Sequence, residues 1–110
     1  MTPEDIRARA LALPLAEEQP HFDRSAFRVK GKIFATLPTG GELVVLKLPE
    51  LVKESLRQSD GEAVVPLPGA WDRGGWTQLV IARMDDGRLA DLIALAWRQV
   101  APKTLLRGET

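Results

Sequence analysis

The chain has 110 residues and a mass of 12.1 kDa; 45% of its residues are hydrophobic and 27% charged, the profile of one soluble globular domain. It has no cysteine and one histidine, which excludes disulfides, zinc–thiolate sites, iron–sulfur clusters, thiol nucleophiles and histidine-based metal clusters. Fifteen basic residues balance fifteen acidic ones, so no bulk positive field draws the chain to nucleic acid or to an anionic membrane.

In chain order, Thr2-Pro3-Glu4-Asp5 is a helix start: a capping hydroxyl, a proline at the first helical position, then acids facing the positive end of the dipole. Ile6, Ala10 and Leu13 supply one modest apolar stripe before Pro14. Leu15 to Pro20 reads as a polar connector. From Ser25 the period changes to two. Phe27 and Val29 alternate with Arg28 and Lys30, and Ile33, Ala35 and Leu37 alternate with Lys32, Phe34 and Thr36. Two alternating runs about Lys30-Gly31-Lys32 predict an antiparallel hairpin.

Pro38-Thr39-Gly40-Gly41 is a turn, and Leu43 to Leu48 a third strand. Pro49 opens a second helix with Leu51, Val52, Ser55 and Leu56 as its buried face. Ala63 to Leu67 reads as a short strand, Gly69 to Gly75 as a loop, and Trp76 to Ile81 as a strand of strong β formers. Asp85 and Asp86 lead into Leu89, Leu92, Ile93, Ala96, Trp97 and Val100, a full helical stripe that Pro102 ends. The order α-β-β-β-α-β-β-α predicts an α+β two-layer sandwich, a mostly antiparallel sheet covered on one face by helices. No repeat, linker or low-complexity tract interrupts residues 1–110, which read as a single domain. No apolar run approaches the ~20 residues of a membrane span, and no leader pattern precedes Glu4 and Asp5. A cytoplasmic location and a monomer are expected.

Catalytic chemistry finds little support. The chain has neither a P-loop nor a G-x-G-x-x-G pattern. His21, Asp23 and Ser25 have the residue types of a triad, but an extended chain spreads them over roughly 13 Å, beyond hydrogen-bond reach. Glu17-Glu18 and Asp85-Asp86 are sequence neighbours that do not face a common point. The expectation is a non-enzyme without cofactor or bound metal.

Strict alternation sends Arg28, Lys30, Lys32, Phe34 and Thr36 to the face opposite the helices, with Lys47 beside them and Val44, Leu46 and Leu48 inward. Cations with an interleaved aromatic on an open sheet are the means by which proteins hold nucleic acid: charge for phosphate, a ring for stacking. The same cations also fit a solvated hairpin edge protected from mispairing. Trp71 and Trp76 flank Arg73 and either extend the surface or seal the sheet edge.

Four segments resemble the MmcQ/YjbR family: Pro20 to Ala35, Leu46 to Pro49, Gly69 to Thr77 and Ala96 to Lys103, in order and at similar spacing. The resemblance implies a frataxin-like (CyaY-like) α+β sandwich in small cytosolic bacterial proteins, with a "double wing" arrangement to which DNA binding is attributed. It implies no catalytic residues. Carried onto this chain, it marks Arg28, Lys30, Lys32, Lys47 and Arg73, to which alternation adds Phe34. Asp72 stands where the family favours glycine and Ser25 where it favours proline. Asp72 puts a negative charge beside Arg73, against phosphate contact. Glu4 and Asp5 alone are too few acids for the iron-binding ridge that a frataxin-like fold raises. The expected partner is DNA, bound weakly and without sequence preference; the alternative is a module for a protein or small anionic ligand.

Overall fold

A computed structural model describes residues 1–104. The first helix, α1 (Pro3–Leu11), begins as its sequence requires: the Thr2 hydroxyl accepts from the Asp5 backbone N–H, and the Asp5 carboxylate accepts from that of Thr2. Those bonds hold the Asp5 carboxyl below its ordinary range. Ile6 and Ala10 are its buried residues.

The expected connector at 15–20 is instead a strand, β1 (Ala16–His21), on the edge of the sheet. Its sequence hides this, because the inward Glu18 meets Arg7 of α1 at 2.9 and 3.0 Å where an apolar residue would otherwise mark the pattern. Pro20 is compatible with an edge, where one side of the strand needs no ladder. Phe22-Asp23 turns the chain into β2 (Arg24–Val29), and Lys30-Gly31 turns it again into β3 (Lys32–Leu37). Lys30 and Gly31 have φ of +52° and +82°, the pairing that a two-residue type I′ hairpin turn needs and that glycine adopts freely.

The β2–β3 ladder contains the main departure from simple alternation. Phe27 pairs with Ala35 but Arg28 pairs with Ile33, so Phe34 is an extra residue, a β-bulge. Across the bulge the side chains exchange faces. Phe34 is fully buried in the core with Ala35, rather than outward as alternation predicts. Ile33 moves to the open face opposite Arg28. Lys32 pairs with Val29 and therefore lies on the helix side of the hairpin end, also contrary to expectation.

β4 (Leu43–Lys47) directs Val44 and Leu46 inward as expected, with Leu48 buried after it. α2 (Glu50–Ser59) keeps Val52 and Leu56 of the expected face against the core but not Leu51 or Ser55. Leu51 is 86% exposed and Ser55 is exposed, whereas Lys53 is 2% exposed and Leu56 fully buried. The aliphatic stem of Lys53 passes through apolar surroundings to reach a carboxylate, a role that hydrophobic periodicity does not register. β5 (Val64–Val65) is short, and the expected loop at 69–75 holds a one-turn helix, α3 (Gly69–Arg73). β6 (Trp76–Val80) ends one residue early at a 3₁₀ turn, Ile81–Arg83. In α4 (Asp86–Val100), Asp85 caps the Arg88 N–H, and Leu89, Leu92, Ile93, Ala96 and Trp97 are buried as the stripe requires.

The six strands are antiparallel in the order β1-β2-β3-β4-β6-β5. α1, α4 and the inner side of α2 build the core on one face. α3 does not join them; it stands over the other face.

Candidate nucleic-acid interface

The register identifies what the open face carries. Ala26 and Val45 flank Thr36, Gln78 pairs with Val45, and Trp76 pairs with Lys47. His21 pairs with Arg24, and Glu17 with Arg28. Ala26, Thr36 and Val45 are almost wholly buried although they lie outside the helix-side core. α3 covers part of this face with Trp71, and a cleft of about 300 Å³ opens between helix and sheet. Its lining is His21, Ile33, Thr36, Ala70, Trp71 and Trp76. No carboxylate lines it.

Three cations surround the cleft. The Arg24 guanidinium lies 5.5 Å from the Trp71 ring centre and donates to the Thr36 hydroxyl at 3.3 Å. The Lys47 ammonium lies 5.2 Å from the Trp76 ring centre. Both distances are within cation–π range. Arg28 makes two long contacts, 3.3 Å to the Gly31 carbonyl and 3.5 Å to His21 Nδ1, while its Nε is buried without a partner. Two acids temper this field: Asp23, 3.8 Å from Arg24, and Glu17, beside Arg28 in register. Trp71 and Trp76 stand 6.0 Å apart, tilted at 56°. At the rim Phe22 is 93% exposed with φ +59°, a conformation uncommon for an aromatic residue, and its ring meets His21 edge-on at 4.7 Å.

Of the residues marked from the sequence, Arg28 and Lys47 are brought together on this face and Lys30 lies at the adjoining turn. Lys32 and Phe34 are excluded by the bulge. Arg73 is exposed, with its guanidinium folded back over Gly69, and does not line the cleft. Thr36 lies on the open face as alternation predicts, whereas sequence reasoning missed Arg24, His21 and Ile33. The signal for Arg24 was present, since it opens the acid-free run of cations from Arg24 to Lys32. For Ile33 no local signal exists, because the bulge is a property of the strand pair. His21, Asp23 and Ser25 lie across a turn rather than on one extended strand, and His21 contacts Arg28 instead of forming a triad.

Asp72 explains how α3 is held. Its carboxylate accepts from Lys53 at 3.0 Å and from Arg57 at 2.9 Å, both on α2, and Lys53 also donates to its backbone carbonyl. The Asp72 charge is therefore held mainly by α2, with Arg73 a lesser partner. Gly75 follows with φ +88°, where a side chain would be strained, and its carbonyl accepts from the Leu48 N–H at 2.8 Å. The hydrogen bond from Lys53, helped by the charges of Lys53 and Arg57, holds the Asp72 carboxyl below the 3.8 of an ordinary aspartate. A depressed carboxyl contributes stability above its unfolded-state pKa and loses it as pH falls through the lower folded value. Tryptophan emission should accordingly stay constant above about pH 5 and change on acidification below about pH 4. Asp72→Asn should remove that acid transition; its persistence in the variant would assign it elsewhere.

Among the described residues no group of three or more His, Asp or Glu side chains could hold a metal ion, and no helix is long and apolar enough to cross a membrane.

A search of the curated proteins finds no match to this chain. Among solved structures, the chain is similar to Deinococcus radiodurans protein DR2400, described as having a DUF419 domain. The TM-score is 0.77 at 20% identity, with 87% of this chain and 75% of that one covered. That likeness establishes the α+β fold. The YjbR family model matches residues 11–99, from the end of α1 through nearly all of α4, and so takes in every strand and the whole open-face cleft. The chain belongs to the YjbR family.

Proposed function

We propose that this protein binds nucleic acid weakly, without catalysis, through the open face of its sheet, and acts as a cytoplasmic monomer. One observation carries the reading: Arg24 and Lys47 lie against Trp71 and Trp76 around an apolar cleft free of carboxylates. Cations neutralise phosphate, and exposed indole faces stack on bases. Arg28 supports it, because its long hydrogen bonds and orphaned Nε leave the guanidinium uncommitted to the fold. The DNA-binding, double-wing and CyaY-like descriptions implied by the family resemblance agree with this use of the sheet.

The formal charge is zero, so affinity should fall in the range of ~10⁻⁴–10⁻⁶ M usual for non-specific complexes. Contacts from Arg24, Arg28, Lys30 and Lys47 imply log–log salt slopes of about −3.6 on duplex and about −2.8 on single strands. Titration of labelled oligonucleotides at two salt concentrations measures both. The double variant Arg24→Glu/Lys47→Glu should abolish retention. Lys32→Glu, on the other side of the hairpin, and Arg98→Glu, on α4, should leave it unchanged. Absence of any retention at about 50 mM salt would sink the reading and leave the cleft to a small aromatic anion.

A further inference from the structure

We infer that the open-face cleft takes one unpaired base, so that single strands are this protein's preferred form of nucleic acid; the inference rests on the reading above. α3 is what decides the form. A bare sheet face is a platform that offers phosphate contacts to a duplex and a single strand alike. Here α3, tied to α2 through Asp72, raises Trp71 off the sheet and turns the platform into a slot between Trp71, Trp76, Ile33 and His21. At about 300 Å³ the slot is at the small end of ligand sites, with room for one planar ring system rather than a base pair and its neighbours.

The charges sit where a strand entering and leaving such a slot needs them. Arg24 lies beside Trp71, Lys47 over Trp76, and Arg28 next to His21, so cations flank the ring site on several sides. Asp23 and Glu17 lie outside the lining and reduce the attraction without blocking entry. A stacked base is worth about 5- to 150-fold in affinity. A single strand gains this in full. A duplex must first extrude a base, which costs about what one stacked contact returns, and so gains only the phosphate contacts at the rim.

The test compares a short single-stranded DNA, the duplex of the same sequence, and an abasic strand of equal length at one low salt concentration. Tryptophan quenching reports occupancy, since Trp71 and Trp76 line the slot while Trp97 is buried elsewhere. The single strand should bind about tenfold or more tighter than duplex and abasic strand. Trp71→Ala should bring the single strand down to the duplex level, and Trp71→Phe should restore most of the difference. Equal retention of single strand and duplex, or of normal and abasic strands, would overturn the inference while the proposed function stands. Retention of none of the three would overturn both.

Discussion

Trp97→Ala is expected to lower the stability of this domain by about 3–5 kcal/mol, the usual cost of deleting a large buried aromatic side chain. The ring is 3% exposed, at the end of the α4 stripe that covers the centre of the sheet. Its Nε1–H donates to the Pro14 carbonyl at 3.0 Å, which ties α4 to the segment joining α1 and β1. Small domains have about 5–15 kcal/mol in total, so this one residue accounts for a large share. At roughly 4–8 °C per kcal/mol, the melting temperature should fall by at least about 12 °C. Trp97→Phe separates the two contributions: most of the burial survives, and because Pro14 is exposed and its carbonyl can turn to water, the loss should be near the ~0.5–1.5 kcal/mol of one hydrogen bond. Denaturant titration of the three proteins measures this. A loss below about 1 kcal/mol for alanine would contradict the packing of α4.

Phe34→Lys and Ile33→Lys are expected to behave oppositely, and the difference isolates the bulge. Strict alternation makes Phe34 an outward residue at which lysine would be harmless and would enlarge the basic surface. The observed register buries Phe34 completely and leaves Ile33 half-buried on the open face. An ammonium at position 34 would lie in the core without a partner, and unpaired buried charges cost about 3–5 kcal/mol beyond the lost packing. Phe34→Lys should therefore fail to fold or melt well below the wild type. Ile33→Lys should fold, with a modest loss, and add a cation to the cleft. Thermal melts followed by circular dichroism distinguish the two, and reversed sensitivities would disprove the bulge.

What was legible in the sequence was local. The capping residues of α1 and α4, the Lys30-Gly31 turn and the α4 stripe are set by short-range hydrogen bonding and by a period that one element carries alone. Those sufficed for the α+β class and for the outward placement of Lys47. What the sequence could not decide depends on pairs of elements. The bulge exists only where β2 and β3 align, and a one-residue slip there exchanges Phe34 for Ile33 on the open face. β1 was hidden because its inward side is closed by the Glu18–Arg7 ion pair, and the burial of Lys53 on α2 was hidden because it depends on Asp72, distant in the chain. The cleft itself depends on α3 standing over the sheet, a position set by the buried Lys53 and by Gly75, both far from Arg24 and His21 in the chain. The residue types of the candidate site could be read from the sequence; their convergence came from long-range ion pairs and strand register, which leave no periodic trace along the chain.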